Sequence, residues 1–186
     1  MRIRARWKLL TNGDFDSGLT GWNTFTDPAT LDTTSGSPLP PSLQMSTSPF
    51  VDSAGGTFST WSECVSLTDV PQPWTYGMRV RVVSSGASCQ LYVWASFDTG
   101  TCEAQGTSYG AATFAVGTVP GMGGDFTQYT AMTNDPKPGG GASQVVRMMT
   151  VGICYSADDA TTVNFDHAFI GTAGTTPVRL QSFGVD

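Results

Sequence analysis

"CQLYVWASF", residues 89–97, alternates with a period of two. Leu91, Val93, Ala95 and Phe97 fall on one side of an extended chain, and Gln90, Tyr92, Trp94 and Ser96 on the other. The first side is a core face. The second carries two aromatic rings and an amide, an odd choice for a plain solvated surface. The preceding run "YGMRVRVV", residues 76–83, repeats the pattern, with Met78, Val80 and Val82 inward and Arg79 and Arg81 outward. Two such runs, parted by the turn "SSGAS", predict strands with one buried side each.

The same pattern continues in both directions. Further β-type runs lie near 3–10, 21–26, 42–47, 57–67, 111–116, 126–132, 144–155 and 162–170. Between them stand turn clusters such as "SGSPLPPS", "TDVPQP" and "NDPKPGGGAS". No window sustains a 3.6-residue period, and the 22 glycines and 11 prolines would interrupt any long helix. The expected fold is all-β, a jelly-roll sandwich of two antiparallel sheets. With 186 residues the chain suffices for one domain with a full core.

Charge narrows the partners. Arg2, Arg4, Arg6 and Lys8 hold four of the nine basic residues, so residues 9–186 set five basic against fifteen acidic groups, a net charge of −10. An acidic body argues against nucleic acid as a partner. The four cysteines, 64, 89, 102 and 154, have no CxxC spacing, and a single histidine cannot complete a zinc site with them. Their even number in a chain with only two lysines predicts two disulfides, in any of three connectivities, and an oxidising compartment. The protein is therefore expected to be secreted or at a cell surface. "MRIRARWKLL" lacks the apolar stretch of a signal peptide; if the protein is secreted, a leader is expected to have been removed or the chain to be a piece of a longer one. There is no transmembrane run.

Two motifs carry a family resemblance. "NGDFDSGLTGW", residues 12–22, resembles the NG-x-F-E-x-G-L-x-G-W start of carbohydrate-binding modules with the galactose-binding-like jelly-roll fold. "VNFDHAFIG", residues 163–171, resembles their closing strand, F-D-D-V-x-L. The pair frames Leu9 to Gly171. The resemblance implies a structural calcium ion held by Asp14 through its carbonyl and by the carboxylates of Asp16 and Asp166. Further carbonyls would come from the segment around Pro38 to Ser42. Ca²⁺ takes six to eight such oxygens. Asp16 stands where the family usually has Glu, and His167 where it has a second Asp. Trp22 is implied as core. The resemblance also favours pairing Cys64 with Cys102, and hence Cys89 with Cys154.

The ligand implied is a polysaccharide or glycan. Trp94 and Tyr92 would stack on the apolar faces of sugar rings, and Gln90, Arg79 and Arg81 would bond their hydroxyls. Cross-strand packing of the same side chains is the alternative. Trp61 and Trp74 fit either a cleft edge or the core. Nothing points to catalysis: Glu63 and Glu103, the only glutamates, form no paired pattern, and His167 has no nucleophile elbow near it.

The domain organisation expected is a basic amphipathic arm over 1–8, the jelly-roll domain over 9–171, and a tail or extra strand over 172–186. Its function is expected to be that of a non-catalytic, calcium-stabilised carbohydrate-binding module. The alternative is a structural subunit of an extracellular fibre, filament or adhesin. In "RIRARWKL", Ile3, Ala5, Trp7 and Leu9 alternate with the four cations. Such a strand would continue the domain's own first strand, or add to a sheet edge of a neighbouring copy and build a homo-oligomer.

Overall fold

The computed structural model describes residues 9–24, 29–37, 39–47, 57–104, 108–118, 125–133, 143–156 and 159–172, with the backbone alone for 57–58 and 108–118. The whole predicted arm, 1–8, and all of the predicted tail but Thr172 lie outside these residues. The described chain holds strands β1 (Asn23–Thr24), β2 (Thr30–Asp32), β3 (Ser42–Ser46), β4 (Thr57–Trp61), β5 (Val65–Ser66), β6 (Trp74–Ser85), β7 (Cys89–Asp98), β8 (Ser108–Thr118), β9 (Thr127–Thr133), β10 (Val145–Cys154) and β11 (Thr161–Thr172). Every pairing is antiparallel. The first sheet runs β1-β4-β10-β7-β8 with β5 beside β10, and the second runs β2-β3-β11-β6-β9. This is the predicted all-β sandwich.

Alternation explains how the sheets close on each other. Leu91, Val93 and Ala95 of β7 are fully buried, and Met78 and Val80 of β6 meet them from the other sheet with Leu43, Met45, Val163 and Phe165. Burying side chains of this size stabilises by roughly 1.5–3 kcal/mol each. Trp74 belongs to this core, stacked on Phe97 at 5.1 Å between centroids.

Two elements differ from the pattern-based expectation. The predicted strand 57–67 is broken after Trp61, because the Ser62 hydroxyl accepts the Met148 N–H of β10 at 2.9 Å in place of a ladder carbonyl. The short β2 was not expected, since "TLD" is too brief to show a period. It exists because Leu31 pairs with Leu43 on the edge of β3.

The opening motif folds as a turn organised by Asn12. Its amide donates to the carbonyls of Gly18 and Thr20 at 2.9 and 2.8 Å, and its Oδ1 accepts the Ser17 N–H at 3.1 Å. Gly18 and Gly21 take positive φ, which a side chain would strain. Phe15 also has φ of +56°, yet is fully buried against Trp22 at 5.0 Å. The Trp22 indole donates to the Asn12 carbonyl, so Trp22 is core as the resemblance implies. The segment lies on β11: Leu9 donates to the Ile170 carbonyl at 2.9 Å, and Ala168 donates to that of Gly13 at 2.8 Å.

Candidate functional site

β6 and β7 are consecutive in the chain but belong to opposite sheets. The five residues expected to hold a sugar are therefore parted: Trp94, Tyr92 and Gln90 stand on the outer face of the first sheet, Arg79 and Arg81 on the outer face of the second. The expectation of one site is corrected on this point. A hairpin would have made the strands neighbours, but the turn after Ser85 carries the chain across the sandwich, with Gly86 donating to Ala160 at 2.8 Å.

The arginines have other work. Arg79 Nη1 donates to the Ser37 hydroxyl and carbonyl at 2.7 and 3.3 Å, and its Nε to Gln128 at 3.2 Å. Arg81 Nη1 donates to the Ser35 hydroxyl at 2.7 Å. Both hold the segment after β2 down on its sheet. Beneath it Asn164 is fully buried and fully engaged, donating to Asp32 and Ser42 and accepting from Gln44. Burial alone would raise the Asp32 pKa, but donors from Thr34, Asn164 and Ser35 outweigh it and hold the carboxyl well below its usual range.

At the junction of the chain ends, Asp166 is 1% exposed, with Oδ2 accepting the Ser37 N–H at 2.5 Å and Oδ1 the His167 N–H at 2.6 Å. His167 sits in a bulge of β11 with φ of +50°, its Nδ1 2.7 Å from Asp14 Oδ1. Burial first, then the neighbouring Asp14, raises the Asp166 pKa to about 6, against the pull of the two N–H donors and His167. Of the three expected calcium ligands, Asp14 and Asp166 meet at this junction, whereas Asp16 is exposed on the turn. Among the described residues no three His, Cys, Asp or Glu side chains gather around a common point. Each Asp166 oxygen accepts one main-chain N–H, from Ser37 and from His167. The side chains that meet here make up at most part of the six to eight oxygens a calcium ion takes.

The outer face of the first sheet has a different chemistry. Register sets Trp61 of β4 and Trp94 of β7 on either side of Met149 of β10, in one row. Met149 points outward yet is only 8% exposed, since a tryptophan flanks it on each side. The Trp94 Nε1–H is buried and has no hydrogen-bond partner among the described residues. Toward one end of the face, Tyr92 and Tyr155 both donate to Gln90 Oε1, the latter at 3.4 Å, and Tyr155 is 59% exposed. Partial burial and the adjoining Tyr155 phenol raise the Tyr92 pKa. Toward the other end Arg147 stands opposite Ser96. Trp61 and Arg147 were not singled out for this face: a partner strand fifty or more residues distant leaves no local trace.

Both disulfides are formed, Cys64–Cys102 and Cys89–Cys154, as the resemblance favours. No helix among the described residues is long and apolar enough to cross a membrane.

No family model and no curated protein matches the sequence. Solved structures match its fold. TmCBM61, solved with β-1,4-galactotriose, superposes with a TM-score of 0.55 at 11% identity, over 89% of this chain and 98% of that one. The C-terminal family 22 carbohydrate-binding module of Clostridium thermocellum Xyn10B gives 0.54 at 14% identity, over 89% and 98%. The enzymatically active domain of bacteriophage CBA120 tailspike protein 4 gives 0.58 at 12% identity, over 88% of this chain but only 21% of that one. The fold is thus the β-sandwich of carbohydrate-binding modules, a class that also recurs as part of larger enzyme chains.

Proposed function

We propose that the chain is a secreted, non-catalytic module that binds a glycan along the outer face of its first sheet. The observation that carries this is the Trp61–Met149–Trp94 row, an aromatic platform built across three neighbouring strands. Sugar rings stack their C–H faces on such a surface. Gln90, Tyr92, Tyr155 and Arg147 supply polar contacts on either side of the row. The likeness to carbohydrate-binding modules supports the reading at the level of fold.

The non-catalytic part rests on chemistry. Glycoside hydrolysis uses two carboxyl groups across the scissile bond, and between Arg147 and Ile153 the described residues of this face present none. Glu63 is engaged by Thr11, whose N–H and hydroxyl donate to it at 2.6 and 2.7 Å. Two disulfides support an oxidising, extracellular setting. Calcium is left out of the proposal: Asp14 and Asp166 meet at the junction of the chain ends, but Asp16 is exposed on the turn. The fibre reading rests on residues 1–8, which lie outside the described residues, and the part of that strand that is described, Leu9, bonds to β11 of the same chain.

A glycan array probed with the full chain and with Trp94→Ala tests the proposal. Binding by the parent, lost in the variant by ~2 kcal/mol or more with an unchanged circular dichroism spectrum, is expected. An array with no bound glycan would end this reading.

A further inference from the structure

Beyond Arg147 the same face runs into a cavity of about 340 Å³, bounded by β5 and the residues after it on one side and by the loop after β7 on the other. Ser66, Thr68, Thr101, Gln144 and Glu103 supply most of its polar lining. Among the described residues no aromatic ring lines it. We propose that this cavity is a second subsite that takes one further ring of a neutral oligosaccharide whose other rings lie on the tryptophan row. The inference rests on the binding face proposed above.

Three observations carry it. The first is chemistry: hydroxyls, an amide and a carboxylate pair with sugar hydroxyls as both donors and acceptors, whereas an apolar ligand would leave them unpaired. Glu103 is the only charged residue among the described lining residues, and the domain around it is strongly acidic, so a uronate or sulfated ring would be repelled there. The ligand class is therefore uncharged.

The second is rigidity. The Cys64–Cys102 bridge ties the two walls together. Within the loop Thr101 donates its N–H to the Ala104 carbonyl at 2.8 Å, Ala104 donates to Thr101 Oγ1 at 3.1 Å, and Gly100 donates to Asp98 Oδ1 at 2.6 Å. Ser66 Oγ lies 3.1 Å from Thr68 Oγ1. Hydroxyls held in place before binding lose little entropy when a ligand arrives.

The third is placement. Val145 lines the cavity, and Val145, Arg147 and Met149 are successive outward positions of β10. Four residues of strand put the cavity about 13 Å from the tryptophan row. A ligand reaching both must be longer than a disaccharide.

Calorimetric titration of the full chain with two-ring and six-ring β-1,4-linked gluco-, xylo- and galacto-oligosaccharides, and with a six-ring galacturonate, tests this. The parent should bind a six-ring neutral sugar more tightly than its two-ring counterpart and should not bind the galacturonate. Glu103→Gln and Thr68→Val should each weaken the six-ring ligand about fivefold to tenfold and leave the two-ring ligand unchanged. Equal affinity for both lengths, six-ring binding untouched by both substitutions, or preference for the galacturonate would each overturn the subsite. Trp94→Ala separates the two ideas: it should abolish binding at every length. A parent that binds no neutral sugar of either length overturns the face itself and the subsite with it.

Discussion

His167 Nδ1 lies 2.7 Å from Asp14 Oδ1, joining the closing strand to the first turn across 153 residues of sequence. The imidazole stands where the related motif carries a second aspartate, and Asp166 beside it bonds to the Ser37 and His167 N–H groups. Hydrogen bonds thus hold a junction for which the motif implies an ion.

Calcium is accordingly expected to leave the melting temperature unchanged, and so is a chelator. His167→Ala should lower stability by about 1–2 kcal/mol, through loss of the Asp14 contact. Thermal melts with calcium and with chelator decide the point. A calcium-dependent rise of several degrees, lost in Asp166→Ala or Asp16→Ala, would overturn this expectation.

Asp166 should also impose a pH dependence. Its folded pKa of about 6 lies above its ordinary 3.8. As pH rises through that window, the unfolded chain releases a proton that the folded chain retains, so stability falls from about pH 4 to pH 6 and then levels. Asp32 acts with the opposite sign and at lower pH: its depressed pKa stabilises the fold above about 3.8, and the benefit is lost on further acidification. Urea melts across the acid range should show the decline, and Asp166→Asn should flatten it. A parent whose stability instead rises from pH 4 to pH 6 would place the raised pKa in doubt.

The two outer faces should respond differently to substitution. Trp61→Ala should weaken glycan binding by roughly 2 kcal/mol, while Arg79→Ala and Arg81→Ala should leave binding intact and cost about 1–2 kcal/mol of stability. The arginines secure the Ser35–Ser37 segment on the other side of the sandwich. Affinity and urea midpoint measured on the same samples separate the two effects. Loss of binding in Arg81→Ala with an unaltered midpoint would move the site to the second sheet.

Each disulfide should contribute about 2–4 kcal/mol, and the Cys89–Cys154 bridge, which closes 65 residues against 38, about 0.5 kcal/mol more than the other. Its cysteines are also fully buried, so a double alanine variant leaves a cavity as well. Peptide mapping without reductant should recover both bridges. Free thiols in the native protein would remove the argument for an extracellular setting.

Sequence by itself determined which side of a strand turns inward. Leu91, Val93, Ala95 and Met78 are read correctly because burial alternates with every residue and needs no knowledge of the partner strand. It also determined Asn12 and the glycines of the opening turn, whose bonds close within nine residues, and the two motifs were enough to imply the fold. Tertiary structure alone decided which outward residues share a face. Arg81 and Tyr92 are eleven positions apart and on opposite sides of the molecule, whereas Trp61, Met149 and Trp94 form one row from three distant strands. The reason is that strand order is set by burying both sheets against each other at once. That condition acts on the whole chain, and no window of sequence carries it.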